Sequence, residues 1–370
     1  MEFTISKTDL ARELGLSQGV VEKRTTIPIL SNVLVEATQD QIILTATDLE
    51  LGIRCSCAAQ VKKQGSGTVP AKRLLDYVRL LPEADVHVKF GENQWVAITC
   101  GRSKTRIAGM SRESYPELPA ISERIADLPA AALSMMIQQT IFSISNEESR
   151  FTLNGALMLL KPESLVMVAT DGHRLAMVEH PMALGPTANY RALLPRKAMV
   201  ELQKLASEAA AEATVHFAAT ENHLFFQVGD RLLISRKLTG NFPDYERVLP
   251  KEHPNVVVVP REDLRGMIER VAQFSDERSH AVKMRVESGE LKVHSSLSET
   301  GESEESLGTS YEGPAVEIGF NAHYMLDFLR AVSEAEVTFR FKDAGSAGEM
   351  RPAGEDLKYN YRYIIMPMRI

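Results

Sequence analysis

Cysteine is nearly missing from this 370-residue chain, and so are long apolar runs and any excess of positive charge. The three cysteines, Cys55, Cys57 and Cys100, are an odd number without the partner Cys or His ligands of a zinc site. This excludes a disulfide scaffold and leaves no zinc-ligand pattern. Cys55 and Cys57 stand two apart in a strand-like stretch, so both point to one face, as ordinary thiols of a reducing compartment. No run approaches the roughly 18 apolar residues of a membrane helix. Met1-Glu2-Phe3-Thr4-Ile5-Ser6-Lys7 has no basic segment followed by an apolar one, so the expectation is a soluble, unexported, cytoplasmic chain. Catalytic signatures are missing as well: there is no G-x-S-x-G, H-E-x-x-H, G-x-x-x-x-G-K-[ST] or strand-led G-x-G-x-x-G.

What is present is ordinary globular composition, 44% hydrophobic and 25% charged, at a length that suits two to three domains. The net charge of −7 argues against a protein that grips nucleic acid by neutralising phosphates. Its distribution is uneven: residues 1–122 sum to +1, residues 123–250 to −2 and residues 251–370 to −6. The acidity is densest at Glu299, Glu302, Glu304 and Glu305, and a basic stretch lies at Arg102, Lys104, Arg106 and Arg112. These are either two solvated segments or complementary patches that meet in a head-to-tail subunit contact.

One layout occurs three times. Proline-led Val69–Val78 reads as an amphipathic helix, followed by a strand at Val86–Phe90. Leu194–Leu202 with Thr214–Phe217, and Asn321–Leu329 with Val337–Phe341, repeat it. Asp76, Glu201 and Asp327, at matching places, fall 125 and 126 residues apart. Ile141, Ile144 and Ser145 likewise precede Val271, Phe274 and Ser275 by a constant interval, each set ending an apolar-periodic helix. The second of these is expected over 263–275. Alternating strands at Gln41–Thr45, Val166–Ala169, Leu224–Val228 and Val256–Val259 complete the units, while Gly65-Ser66-Gly67 reads as a polar turn. The fold class is therefore α+β: antiparallel sheet and two helices, built three times, with domains at 1–122, 123–250 and 251–370.

Ala169-Thr170-Asp171-Gly172-His173-Arg174-Leu175 invites an enzymatic reading, with Asp171 and His173 as the titrating pair. The first repeat has Ala46-Thr47-Asp48-Leu49-Glu50 at the corresponding place, so Thr-Asp is a structural turn device and only Gly172-His173-Arg174 is peculiar to the second copy. Without an activated nucleophile, catalysis is the weaker reading.

Thr26-Ile27-Pro28-Ile29-Leu30 early on, then Leu153-Asn154-Gly155, Ala169–Leu175, Asn241-Phe242-Pro243-Asp244-Tyr245 and the terminal Ile365-Met366-Pro367-Met368-Arg369-Ile370, in that order and spacing, resemble the bacterial DNA polymerase III beta subunit family, the replicative sliding clamps. The resemblance spans essentially the whole chain. It implies three DNA-clamp domains per protomer, a head-to-tail homodimer forming a six-domain ring, no intrinsic catalysis, no cofactor and no metal. The implied function is polymerase processivity by encircling duplex DNA without reading sequence; the alternative is a clamp-fold interaction scaffold that does not encircle DNA. The implied partners are the clamp loader, the replicative polymerase catalytic subunit, and other polymerases and repair proteins that carry a short peptide motif. Transferred position by position, the DNA-facing cations are Arg24, Lys72, Arg73, Arg150, Arg196 and Lys197, with Glu147 and Glu148 flanking Arg150. The partner groove takes Leu153, Thr170, Gly172, His173, Arg174, Leu175, Pro243, Arg247 and Val248, with Asn321, Tyr324, Met366, Pro367, Met368 and Arg369. The dimer contact takes Arg102, Lys104, Glu302, Glu304 and Glu305, around an apolar centre of Ile107 and Phe274.

Overall fold

The computed structural model describes residues 1–21, 26–147, 149–185, 189–297 and 301–369. Arg24, Glu148 and Glu299, singled out above, lie outside the described residues. Among the described residues six α-helices occur: α1 (Lys7–Val20), α2 (Ala71–Leu80), α3 (Ala130–Thr140), α4 (Arg196–Glu208), α5 (Arg261–Val271) and α6 (Ala322–Ala331). None is long and apolar enough to cross a membrane.

Four of the helices start on the residue after a proline that ends a strand, at Pro70, Pro129, Pro195 and Pro260. Proline has no N–H to continue a ladder, and its fixed φ already suits the first helical turn, so one residue stops the strand and launches the helix. The other two use side-chain caps. Ser6 Oγ accepts the Asp9 N–H at 3.1 Å, and Asn321 Oδ1 accepts those of His323 and Tyr324 at 2.9 and 3.3 Å. The helix expected over 263–275 begins two residues earlier and tightens to a 3-10 turn at Ala272–Phe274, as the chain also does after α3 at Ile141–Ser143. Gly65-Ser66-Gly67 is not a turn but the start of strand Gly65–Pro70, paired with Asn32–Thr38. The Phe90 ring lies on Gly67, where an added Cβ would fall 2.6 Å from Cδ1, so the glycine marks a close approach rather than a bend.

Each third of the chain builds two antiparallel half-sheets. The first kind is a meander closed by a fourth strand: Asn32–Thr38, Gln41–Thr47 and Leu51–Ala58 with Gly65–Pro70; Gly155–Lys161, Ser164–Thr170 and Arg174–Pro181 with Tyr190–Pro195; Ala281–Glu287, Glu290–Leu297 and Gly301–Gly308 with Val316–Asn321. The second kind has the order Glu2–Ser6, Asp85–Phe90, Trp95–Cys100, Ser103–Ala108, with Gln60–Lys63 added outside. Its copies are Arg124–Pro129, Thr214–Ala219, His223–Val228, Arg231–Arg236, and Asn255–Pro260, Glu336–Phe341, Gly348–Ala353, Asn360–Ile365.

These half-sheets join by one rule. The third meander strand of one copy pairs with the last strand of the second kind in the next copy. Leu51–Ala58 pairs with Arg231–Arg236, with Ile53 opposite Leu233, and Arg174–Pro181 pairs with Asn360–Ile365, with Ala176 opposite Tyr363. The result is two eight-stranded sheets, with a five-stranded and a four-stranded sheet left over. Two compact units follow, Met1–Ser134 with Lys197–Lys237 and Met135–Arg196 with Leu238–Ile370, so the middle third gives one half-sheet to each. In the first unit α1 packs on α2; in the second α5 packs on α6. Leu10, Leu14, Leu74 and Val78 are buried in one, and Leu264, Ile268, Met325 and Leu329 in the other.

The first unit also buries a charge. Glu13 of α1 is 3% exposed and receives Arg231 Nε and Nη2 at 3.0 and 2.7 Å and Arg12 Nε at 2.8 Å. Burial pushes the Glu13 carboxyl upward, but Arg231 and Arg12 outweigh it and hold it below the usual range. Burial, with Glu13 nearby, raises the Cys57 thiol to about 12 and Cys55 further still, so both stay protonated and unreactive. Glu13→Ala leaves Arg231 without its countercharge and should cost about 3–5 kcal/mol in denaturant unfolding of this unit. Because the folded pKa of Glu13 is lowered, its contribution is present above the ordinary carboxylate range and lost as pH falls through the folded value. The variant should therefore show a flatter acid limb in a plot of stability against pH, and an unchanged limb would mean the pair contributes nothing.

Candidate functional site

The Thr-Asp turn is built twice from the same hydrogen bonds. Thr170 Oγ1 donates to Arg174 O and accepts the Gly172 N–H, while Asp171 Oδ1 accepts the N–H groups of His173 and Arg174. Thr47 Oγ1 donates to Leu51 O and accepts the Leu49 N–H, and Asp48 Oδ1 accepts those of Glu50 and Leu51. Both carboxylates are occupied by backbone. The third position is left-handed in each copy, with φ of +91° at Gly172 and +78° at Leu49. Glycine fits that region and leucine is strained there.

The turn aims Arg174 inward. Its guanidinium donates to Asp171 at 3.0 Å, to Asp327 at 2.6 Å and to the Phe142 carbonyl at 2.5 Å, and lies 4.3 Å from the Tyr324 ring centroid. Burial opposes its charge, but Tyr363, Asp327 and Asp171 more than compensate and raise its pKa. Arg174 is thus a fixed cation in one wall of a cavity of about 130 Å³. The other walls are Leu153, Thr170, Gly172, Leu175, Pro243, Val248 and Met366, all expected, together with Tyr245 and Ile364, which were not. Apart from Arg174 and the Thr170 and Tyr245 hydroxyls, the lining is apolar, so the cavity suits one aliphatic or aromatic side chain held beside a cation.

The remaining expected groove residues surround the cavity without lining it. His173 is exposed, and its carbonyl, rather than its ring, fixes the terminal segment by accepting the Met366 N–H at 2.9 Å. Asn321 caps α6, and Tyr324 lies under Arg174. Met368 N–H bonds Gly319 O at 2.8 Å, with half-buried Pro367 before it and exposed Arg369 after it. Arg247 is 86% exposed and pairs with Asp244 at 2.8 Å. Asp327, Tyr363 and the Phe142 carbonyl, which position Arg174, were invisible as site residues; the one signal was Asp327 at a repeat landmark on α6.

Most of the expected DNA-facing cations have partners inside the chain. Lys72 pairs with Asp76 and Arg150 with Glu147, Arg196 bonds Asn146 and the Ile144 carbonyl, and Lys197 pairs with Asp48. Arg73 is exposed on α2 and has no ion pair among the described residues. The two charged stretches lie on the leftover sheet edges. Ser103–Ala108 exposes Lys104 and Arg106, Arg102 sits in the turn before it, and Ile107 is 4% exposed, buried under its own strand. Gly301–Gly308 exposes Glu302 and Glu304, while Arg270 holds Glu305 through two 2.6 Å bonds. The half-buried Phe274 ring lies against Gly301.

Models of the N-terminal, central and C-terminal domains of the DNA polymerase III beta subunit match residues 1–119, 127–244 and 246–369. The chain belongs to the DNA polymerase III beta subunit family. The beta sliding clamp of Caulobacter vibrioides is 36% identical over 379 residues, and that of Chlamydia muridarum 33% over 371; each alignment covers all of this chain and at least 99% of the relative. The crystal structure of the Pseudomonas aeruginosa sliding clamp bound to griselimycin superposes with a TM-score of 0.93 at 32% identity, covering both chains fully. The fold is three DNA-clamp domains of antiparallel sheet and helix pairs. Family membership makes the chain a DNA polymerase processivity clamp and a non-catalytic subunit, which removes the Asp171–His173 enzyme reading.

The twin turns give a reciprocal test. Gly172→Ala puts a Cβ at positive φ and 3.1 Å from Arg150 Nη1, and should lower stability by about 1 kcal/mol. Leu49→Gly should be neutral or stabilising by up to about 1 kcal/mol, since it relieves the same strain. Thermal unfolding of both variants beside the parent reads the pair, and destabilisation by Leu49→Gly would contradict the strain assignment.

Proposed function

We propose that the chain closes head-to-tail with a second copy into a six-domain ring around double-stranded DNA, holding it topologically and without sequence preference. Its domains run 1–122, 123–250 and 251–370. The pairing rule of the sheets carries this reading. Two of its three instances are satisfied inside the chain, and the third would join Gly301–Gly308 of one protomer to Ser103–Ala108 of another. Both are edge strands whose outer backbone groups call for a partner. Their side chains are opposite in charge, exposed Arg102, Lys104 and Arg106 against exposed Glu302 and Glu304 and half-buried Glu305, which Arg270 already holds, with Phe274 at the margin and Ile107 backing the strand from within. Arg24, Lys72, Arg73, Arg150, Arg196 and Lys197 would meet phosphates weakly, as sliding requires, and the internal partners of four of them suit weak contact.

The Arg174 cavity and its neighbours receive short peptides of the replicative polymerase, the clamp loader and other polymerases and repair proteins, in the cytoplasm at replication forks. Pro367 between Met366 and Met368 gives this groove a deformable apolar margin suited to several sequences.

Retention on a nicked circular plasmid, after loading by clamp loader and ATP and a salt wash, tests the ring. Release only on linearisation is expected; salt release from uncut circles, with the loader shown to load another clamp, would favour the scaffold that does not encircle DNA. Removing residues 366–370 should abolish binding of a polymerase peptide in fluorescence anisotropy while sparing the dimer, and parental affinity in the truncated chain would sink the groove. Lys104→Glu should shift sedimentation toward monomer, with Glu304→Lys restoring the dimer, and an unaltered dimer in Lys104→Glu would remove that residue from the contact.

A further inference from the structure

The two seams inside the chain determine a register for the third. Ser6, Pro129 and Pro260, the last strand residues before α1, α3 and α5, stand opposite Asp85, Thr214 and Glu336. Four residues on, direct cross-strand pairs run through Ala97, Phe225 and Glu349 to Arg106, Ile234 and Ile364, which are therefore equivalent. Pro70, Pro195 and Asn321, before α2, α4 and α6, stand opposite Asn32, Gly155 and Ala281. Two residues on, the meander pairs run through Thr45, Val168 and His294 to Arg54, Met177 and Glu304.

Both internal seams then agree. Ile234 faces Gly52, two residues before Arg54, and Ile364 faces Leu175, two before Met177. Carried to the third seam, the same count sets Arg106 opposite Glu302 and Lys104 opposite Glu304 of a second copy. It also sets Ile107 opposite Gly301 on the other face, where the Phe274 ring lies 3.4 Å from the place of the missing Cβ. Two pairs of opposite charge and one apolar pair fall together.

Arg106 is restrained before a second copy arrives. Among the described residues it forms no ion pair, and its guanidinium carbon lies 5.1 Å from the ring centroid of Trp95, the one tryptophan of the chain. Trp95 stands two residues before Ala97, the cross-strand neighbour of Arg106, so both side chains share the solvent face of this sheet. The indole is 42% exposed, poorly buried by its own chain, and what it offers is a flat face to a planar cation. A free arginine loses rotamer freedom on entering an exposed ion pair and regains little. Stacking on Trp95 imposes part of that restriction beforehand, on the face that Glu302 would meet.

We propose that Trp95 is a positioning residue of ring closure, holding the Arg106 guanidinium for Glu302 of the second copy. This role rests on the head-to-tail ring proposed above. A ring of two copies has two such contacts, so a factor at each contact enters the dimer dissociation constant squared.

Fluorescence-detected sedimentation of the dye-labelled full chain over a dilution series tests it. Trp95→Leu should raise the dimer dissociation constant about 4- to 25-fold, from about two- to fivefold at each contact. Trp95→Tyr, which keeps an aromatic face, should recover part of the loss. Arg106→Met should weaken the dimer at least as much. In an Arg106→Met or Glu302→Ala background Trp95→Leu should have no further effect, a coupling that a merely structural role for the indole would not produce. A parent chain that stays monomeric throughout would overturn the ring and this role together. With a dimeric parent, an Arg106→Met or Trp95→Leu variant of parental affinity, or an equal effect of Trp95→Leu in all backgrounds, would leave the ring standing and overturn the role of Trp95.

Discussion

An antiparallel strand has two hydrogen-bonding edges, and a sheet that ends leaves one of them open. The architecture of this chain depends on that constraint. Each repeat makes two half-sheets, and Leu51–Ala58 with Arg231–Arg236, and Arg174–Pro181 with Asn360–Ile365, satisfy the edges by joining one repeat to the next. The middle third has no sheet of its own; both of its half-sheets are completed by neighbours. Buried charge reinforces one such seam, since Glu13 on α1 holds Arg231 on the adjoining strand of the following repeat. That contact is electrostatic and buried, so loss of either partner would leave an unmet charge at the seam.

Repetition of the backbone leaves the side chains free to diverge. The Thr-Asp turn has the same hydrogen bonds at Thr47-Asp48 and Thr170-Asp171, but only the second copy places an arginine at the position that reaches Asp327 and the Tyr324 ring. The sheet face beside the turn is apolar in one copy and carries Arg54 and Thr45 in the other. One scaffold thus presents an apolar recess with a fixed cation in one place and a recess lined by several charged residues in another. The difference resides in a handful of side chains, and none of it alters strand pairing.

Much of the fold was legible in the sequence because repetition multiplies weak signals. Asp76, Glu201 and Asp327 at near-equal spacing marked helices that the structure places at α2, α4 and α6. The prolines before α2, α4 and α5 were readable as helix starts for a local steric reason. Gly65-Ser66-Gly67 misled because a glycine that admits the Phe90 ring and a glycine that turns the chain look the same in one dimension. The groove was readable where its walls come from contiguous motifs, such as Thr170–Leu175 and the terminal Met366. Tyr245 and Ile364 escaped because buried hydrophobic residues carry no mark that separates a cavity wall from ordinary core. The partners of Arg174 escaped for another reason: Asp327 and Phe142 lie far from it in the chain, and tertiary contact alone brings them together.

A rule that completes sheets between successive repeats is indifferent to where the polypeptide begins and ends. The peptide bonds linking the thirds add proximity, not a different kind of contact, because the strand pairing at each internal seam would read the same between separate molecules. Cutting the chain between repeats would therefore exchange a covalent tether for a concentration requirement, and an isolated middle third, with both half-sheets raw, would be an unprotected monomer primed to polymerise.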